Sequence, residues 1–312
     1  MGLKLPAMRA SMAAWLCLSV AAPALYAADD VLQQGEYLFR AAGCAHCHTD
    51  DKNKGAPLAG GRALHTPLGT FYTSNITPDP DTGIGRWSEA DFMRALREGI
   101  NTKGEHYYPA FPYTSYTQLT DADLRALWKY LMSRQAVRQA NKPHELPWYL
   151  RSRATLRLWK MVFFESRSFQ PQSEKLQIWN RGAYLVKAVA HCGECHTPRN
   201  LLGGFKTSQQ LAGNPHGVDD AETPNITPDN ETGIGEWTEN DLVYYLETGA
   251  TPDGDYAGDA MAEIIDNSTS HLTQDDRRAI AVYIKSQPAV ETKRQERDRK
   301  EKKPKNKKED WE

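Results

Sequence analysis

Cys44-Ala45-His46-Cys47-His48 and Cys192-Gly193-Glu194-Cys195-His196 decide how this 312-residue chain is read. In each string two cysteines flank a pair of residues, and a histidine follows at once. This is the attachment signature of haem c. Its spacing has a chemical reason. Two thiols on one turn reach the two vinyl groups along one edge of a porphyrin. The ring position is then fixed, so the next imidazole can bind the iron from one side. The expected covalent sites are Cys44, Cys47, Cys192 and Cys195, the expected axial ligands are His48 and His196, and the expected cofactor is two haem c.

Competing readings of the cysteines fit less well. A zinc ribbon places its two Cys pairs about 15–20 residues apart, whereas Cys44 and Cys192 are 148 positions apart. A thioredoxin-like redox pair needs a βαβ pattern around it, and neither pair has one. Two disulfides would not require a histidine after each second cysteine.

The chain opens with Lys4 and Arg9, an apolar run from about Met12 to Ala22, and small residues at Ala24, Ala27 and Ala28. That order is the pattern of a secretory signal peptide, with cleavage expected after Ala27. The run is shorter than the roughly 20 apolar residues of a membrane span, so no transmembrane anchor is expected after cleavage. Cys17 lies within the run and leaves with it. At the other end, residues 291–312 hold ten Lys or Arg and seven Asp or Glu with almost nothing apolar, a composition that builds no core. Between these ends 26 basic residues face 33 acidic ones. The mildly acidic body gives no nucleic-acid footprint.

The second half repeats the first. Asn75-Ile-Thr-Pro-Asp79 matches Asn225-Ile-Thr-Pro-Asp229, Thr82-Gly-Ile-Gly85 matches Thr232-Gly-Ile-Gly235, and Trp87 matches Trp237. Gly35, Tyr37 and Leu38 precede the first haem motif as Gly182, Tyr184 and Leu185 precede the second. A repeat of about 150 residues is two copies of one domain rather than a solenoid unit. Each copy predicts a helix into the haem motif (about 31–42 and 178–190), a long Gly/Pro/Asn-rich loop, a middle helix after Trp87 or Trp237, and a last helix. Ser88–Asp91 and Thr238–Asp241 have the spacing of helix caps, as do Thr120–Asp123 and Thr273–Asp276. The last helices carry Leu124, Leu127, Trp128 and Leu131, or Ile280, Tyr283 and Ile284, on one face. The expected fold class is all-α: two tandem, loop-rich domains, each short of core without its haem. The expected boundaries are signal peptide 1–27, first domain 28–134, linker 135–173, second domain 174–290 and charged tail 291–312. Within the linker, Leu156, Trp159, Lys160 and Phe163 predict a short amphipathic helix packed across both domains.

The sixth iron ligand separates the copies. Low-spin carriers of this type pair His with Met. Met261 is the only Met of the second copy, in a Gly/Asp-rich segment expected to be a loop, and is the expected ligand there. The matching position in the first copy is Phe111, which cannot bind iron. Met93 and Met132 fall at core-like helix positions. His106 is the candidate replacement; otherwise the position is open.

Tyr108-Pro-Ala-Phe-Pro-Tyr113, the two Asn-Ile-Thr-Pro-Asp strings and His196-Thr-Pro-Arg-Asn200 resemble the cytochrome c subunits of periplasmic alcohol, gluconate and sorbitol dehydrogenases. The resemblance runs from about Val31 to Pro288. It implies a cytochrome c fold in each domain, His and Met ligation, and a position for Arg199 near the haem. It also implies electron flow from a dehydrogenase to quinone, a cytochrome or a terminal oxidase. Many relatives have three haem domains and a Met at the position of Phe111, and this chain departs on both points.

The sequence reading is therefore an exported, periplasmic dihaem cytochrome c, soluble or peripheral to the inner membrane. It takes electrons from a dehydrogenase subunit and passes them to a respiratory acceptor, and does no bond chemistry itself. The rival reading is a haem enzyme acting on peroxide or a sulfur oxyanion through an open first haem, against which no acid–base constellation stands near Phe111. A gas sensor, with no effector domain in evidence, is the third.

Overall fold

The computed structural model describes residues 22–292, together with Gly2. The apolar run of the expected signal peptide and all but the first two residues of the charged tail lie outside the described residues.

The first half comprises helices α1 (Ala22–Ala41), α2 (Cys44–His48), α3 (Glu89–Glu98), α4 (Tyr113–Tyr116) and α5 (Asp121–Met132). The connector holds α6 (Ala154–Phe163), and the second half holds α7 (Gln177–Tyr184), α8 (Gly193–His196), α9 (Glu239–Thr248), α10 (Asp259–Asn267) and α11 (Gln274–Lys285). The expected cleavage position after Ala27 falls within α1. The helix expected from Ile178 to Ala190 is present, but its second part, Leu185–Val189, widens into a π-helical turn.

In each half the helix before the haem motif packs against the last helix, α1 on α5 and α7 on α11. Glycine permits the crossing. A Cβ on Gly35 would lie 2.2 Å from the Ala126 carbonyl oxygen, and one on Gly182 would lie 1.9 Å from that of Ala279. A methyl group at either position would drive the helices apart, which is why the residue two before Tyr37 and two before Tyr184 has no side chain. The apolar faces expected on α5 and α11 are buried, with Leu124, Leu127, Leu131, Ile280, Tyr283 and Ile284 all in one continuous core. Met93 and Met132 pack against that core.

The caps fall where the sequence placed them. Ser88 and Thr238 accept from the backbone N–H of Asp91 and Asp241, and both aspartates reach back to the cap N–H. Thr120 and Thr273 cap α5 and α11 in the same way through their hydroxyls. Each satisfies a backbone donor at a helix start that would otherwise lack a partner.

The Asn-Ile-Thr-Pro-Asp strings are ties. The Asn75 side-chain oxygen accepts from both the N–H and the hydroxyl of Thr77, while its amide donates to the Val137 carbonyl. Asn225 does the same with Thr227 and Val290. Thr77 and Thr227 are fully buried. The long loop is thus pinned to the chain leaving the last helix of its own half.

The expectation of an all-α fold needs a small addition. The first loop contains an antiparallel hairpin, β1 (Ala63–Thr66) with β2 (Gly69–Tyr72). The connector adds to it, because Thr70 and Glu145 exchange backbone hydrogen bonds of 3.0 and 2.9 Å. Phe71, Tyr108, Leu146 and Leu156 make a second, smaller core beneath the connector. The α6 helix then spans the halves. Lys160 donates to the Glu98 and Gly99 carbonyls at the C-terminus of α3, and Trp159 Nε1 donates to the Leu202 carbonyl at 2.8 Å.

Candidate haem sites

Each haem motif occupies a single short turn, α2 or α8, entered from the end of a buried helix. The residue before the first cysteine takes a left-handed backbone in both, Gly43 at φ 61° and His191 at φ 40°. The four motif cysteines are free thiols. Desolvation pushes Cys44 and Cys192 up to about 12 and Cys195 to about 11, although Cys195 keeps part of its surface exposed. A raised thiol favours the S–H form, the form that can add across a vinyl group.

The candidate axial histidines are oriented by backbone. His48 Nδ1 lies 2.6 Å from the Ser74 carbonyl oxygen, and His196 Nδ1 lies 2.8 Å from that of Pro224. A carbonyl accepts only, so Nδ1 carries the proton and Nε2 is left as the free donor atom for a metal. Burial lowers both imidazoles, which keeps them neutral and available. Ser74 and Pro224 immediately precede Asn75 and Asn225. The loop tie described above therefore positions the carbonyl that fixes each ligand's tautomer. The sequence marked these strings as a repeat and as part of the family resemblance; their hydrogen bonds are visible in the fold. Free thiols, a fixed Nδ1 proton and an apolar surround that includes Cys44, Cys192, Trp87 and Trp237 fit a covalently held porphyrin in each half.

The segments of Met261 and its counterpart Phe111 share one backbone hydrogen bond and differ in side chain. Met261 N–H donates to the Gly258 carbonyl at 3.0 Å, and Phe111 N–H donates to the Tyr108 carbonyl at 3.0 Å. Contrary to the loop expected from its composition, Met261 stands in the first turn of α10. The Gly258–Asp259 pair starts a helix there, with Gly258 in the extended cap position. Met261 packs against the core. Phe111 sits among aromatic rings, 5.3 Å from Tyr107 and 5.9 Å from Tyr116 between centroids.

His106 lies against the connector. Its Nδ1 is buried without a protein hydrogen-bond partner, its carbonyl accepts from Arg153, and its pKa is lowered by burial and then by Lys160 and Arg157. Its counterpart in the second half is Tyr256, in the equivalent bridge to Ala250, and Tyr256 is 70% exposed. Arg199 donates to Glu194 within the second motif at 2.5 Å and to the Gly203 carbonyl at 2.9 Å, and it covers the Phe205 ring. Among the described residues no helix is long and apolar enough to cross a membrane.

Comparison with known proteins agrees with this chemistry. The family model described as cytochrome c matches residues 32–135. A diheme cytochrome c-type protein of Cereibacter sphaeroides is 40% identical over 300 residues, which cover 93% of this chain and 98% of that protein. The gluconate 2-dehydrogenase cytochrome c subunit of Pantoea cypripedii is 41% identical, over 86% of this chain and 62% of its own length. The fructose dehydrogenase cytochrome subunit of Gluconobacter japonicus is 42% identical, over 83% and 53%. The chain thus spans between half and two thirds of these two subunits, and nearly all of the diheme protein.

Proposed function

Since the chain belongs to the c-type cytochromes and has haem c as its cofactor, we propose that it is a periplasmic electron carrier that receives electrons from a dehydrogenase and delivers them to a respiratory acceptor. The observation that carries this reading is the pair of attachment turns, each with an axial histidine whose Nδ1 proton is held on a backbone carbonyl. The names of the gluconate and fructose dehydrogenase subunits support the choice of donor class. The acceptor, whether quinone, cytochrome or oxidase, belongs to the same proposal, as do export behind residues 1–27 and two haem domains at 28–134 and 174–290.

Haem c supplies a one-electron couple at iron, with a potential set by its ligands and its burial. The chain supplies the rest. Cys44 and Cys47, and Cys192 and Cys195, would hold each ring by thioether bonds. His48 and His196 would present Nε2, while their Nδ1–H groups donate to the Ser74 and Pro224 carbonyls. Met261 is assigned as the sixth ligand in the second half, through its thioether. The first half has no thioether at the matching position, because Phe111 stands there.

The test is a spectrum of the purified holoprotein with a potentiometric titration. Two one-electron steps are expected, with a methionine–iron charge-transfer band from one haem only. Met261→Ala should abolish that band and lower one of the two potentials. Turnover of peroxide or a sulfur oxyanion at enzymatic rates would overturn the carrier reading.

A further inference from the structure

We propose that each haem-attachment turn positions the sixth-ligand segment of the opposite haem, so that Arg62, Glu263 and Glu194 are positioning residues acting across the two halves. This rests on the ligand assignments proposed above and goes beyond them.

His46 and Glu194 occupy the same place in their motifs, the residue before the second cysteine. Neither reaches a group of its own half's sixth-position segment. His46 Nδ1 lies 3.1 Å from Glu263 Oε2, and Arg62 Nη2 donates to the same oxygen at 3.0 Å. Arg62 also donates to the His46 carbonyl at 2.9 Å, which ties the ion pair to the first attachment turn itself. Glu263 follows Met261 by two residues on α10, and α10 packs against α2. The C-terminal end of α10 is held as well, because Ser268 Oγ, buried, donates to the Ala41 carbonyl at 2.8 Å, three residues before Cys44. The first half thus holds the middle and the C-terminal end of the helix that carries the second half's Met.

The second half returns the arrangement. Glu194 Oε1 accepts from Thr114 Oγ1 at 2.6 Å and from Ser115 Oγ at 2.7 Å. Both hydroxyls belong to α4, which begins two residues after Phe111. Tyr116, on the same short helix, pairs its hydroxyl with His191 Nε2 at 3.1 Å, next to Cys192. Glu194 is almost fully buried and is held on its other oxygen by Arg199. Charge-assisted contacts of this kind fix geometry more tightly than apolar packing. Glu194, if displaced from the two hydroxyls, would stay buried with Arg199 alone, and loss of Glu263, itself half-exposed, would take the carboxylate partner from the buried Arg62 and from His46.

The first consequence concerns the Met261–iron bond, which is weak enough to depend on how its helix is held. Removing Glu263 frees α10 from the first attachment turn without touching the ligand. In Glu263→Ala holoprotein the methionine–iron band should disappear on heating well below the temperature at which the helices melt by circular dichroism, whereas in the parent protein the two should be closer together. Arg62→Lys should retain the parent behaviour in part, and Arg62→Ala should resemble Glu263→Ala. A purely structural role for the pair would move band and melting down together, and that result, or an unchanged band, would overturn the proposal. Met261→Ala run alongside separates the two readings. If the band survives in that variant, the ligand assignment and the positioning role both fall. If the band is lost there but Glu263→Ala behaves as the parent, only the positioning role falls.

The second consequence is read with carbon monoxide. Glu194→Ala should loosen α4 beside Phe111, and the reduced first haem should bind the gas several-fold faster than in the parent protein, with Glu194→Gln intermediate. Equal rates in all three proteins would remove Glu194 from the proposal.

Discussion

The Tyr37 hydroxyl donates to Asp276 Oδ2 at 2.5 Å, joining the first half's haem helix to the start of the second half's last helix. Tyr184, the counterpart of Tyr37, donates to Asp123, the counterpart of Asp276. Each tyrosine also accepts from the N–H of the opposite cap residue, Thr273 for Tyr37 and Thr120 for Tyr184. The halves are therefore joined by one contact used twice in opposite directions. The two copies differ in support: Arg181 holds Asp276 through two nitrogens, at 2.8 and 2.6 Å, where Gln34 approaches Asp123 at only 3.3 Å.

Removing one hydroxyl should be modest and removing the pair's charge partner should not. Tyr37→Phe should cost roughly 1–2 kcal/mol, since Asp276 keeps Arg181. Tyr37→Phe with Arg181→Ala leaves a buried carboxylate without a charged partner and should cost about 3–5 kcal/mol. Denaturant unfolding of the two holoproteins measures the difference. Equal losses would mean that Asp276 is solvated rather than held.

The same carboxylate gives the interface a pH dependence. Burial alone would raise Asp276, but the hydrogen bonds from Arg181 and Tyr37 outweigh it and hold the group below its ordinary value. A carboxyl depressed in the folded state stabilises fully above its unfolded pKa, and that contribution is lost as pH falls through the folded one. The stability gap between the parent and Asp276→Asn should accordingly be widest near neutral pH and close in acid. Unfolding measured from about pH 7 to about pH 3 checks this, and a gap independent of pH would refute it.

Much of this was legible because it is local. The C-x-x-C-H strings, the four cap pairs and the apolar faces of α5 and α11 are each fixed by residues within one or two turns. The connector helix was legible for the same reason, since Leu156, Trp159, Lys160 and Phe163 define one face. The hairpin at Ala63–Tyr72 was not, because four-residue strands inside a Gly/Pro-rich loop have too few positions to show alternation, and a further bridge comes from Glu145 far along the chain. Met261 was placed in a loop by its Gly and Asp neighbours, which prove to be the entry to a helix. The reciprocal Tyr–Asp contacts join residues 239 and 61 positions apart. Nothing in a local pattern announces such a pairing, although the repeat had already set Tyr37 beside Tyr184.

Attachment can be counted directly. Denatured holoprotein should keep its haem on the chain, at about two per chain in a pyridine extract, because thioether bonds survive unfolding. Replacing Cys44 and Cys47 together by Ala should remove one haem and leave the other. The variant should also be less stable in its first half, where Leu38, Phe92 and Leu127 pack in a core of limited size. Fewer than two haems on correctly matured parent protein would overturn the assignment of both motifs.

The proposed open sixth position of the first haem is tested at Phe111 and His106. The position of His106 is matched by exposed Tyr256, and burial together with the connector cations Lys160 and Arg157 lowers its pKa. The expected result is a first haem that is at least partly high-spin and binds carbon monoxide when reduced, with His106→Ala leaving its spectrum unchanged. A low-spin first haem with a depressed potential, made high-spin by His106→Ala, would instead identify His106 as the ligand, since a second imidazole stabilises ferric iron more than a thioether does. Phe111→Met is the constructive test. The N–H of Met261 is bonded to the Gly258 carbonyl, and that of Phe111 to the Tyr108 carbonyl in the same way, although only Met261 lies within a helix. A thioether introduced at Phe111 replaces a phenyl ring of similar volume among Tyr107 and Tyr116. The variant should acquire a second methionine–iron band and a raised potential for the first haem, and should lose the gas binding. If the parent protein already shows two indistinguishable His/Met haems, the asymmetry between Phe111 and Met261 has no functional meaning and another methionine must serve the first site.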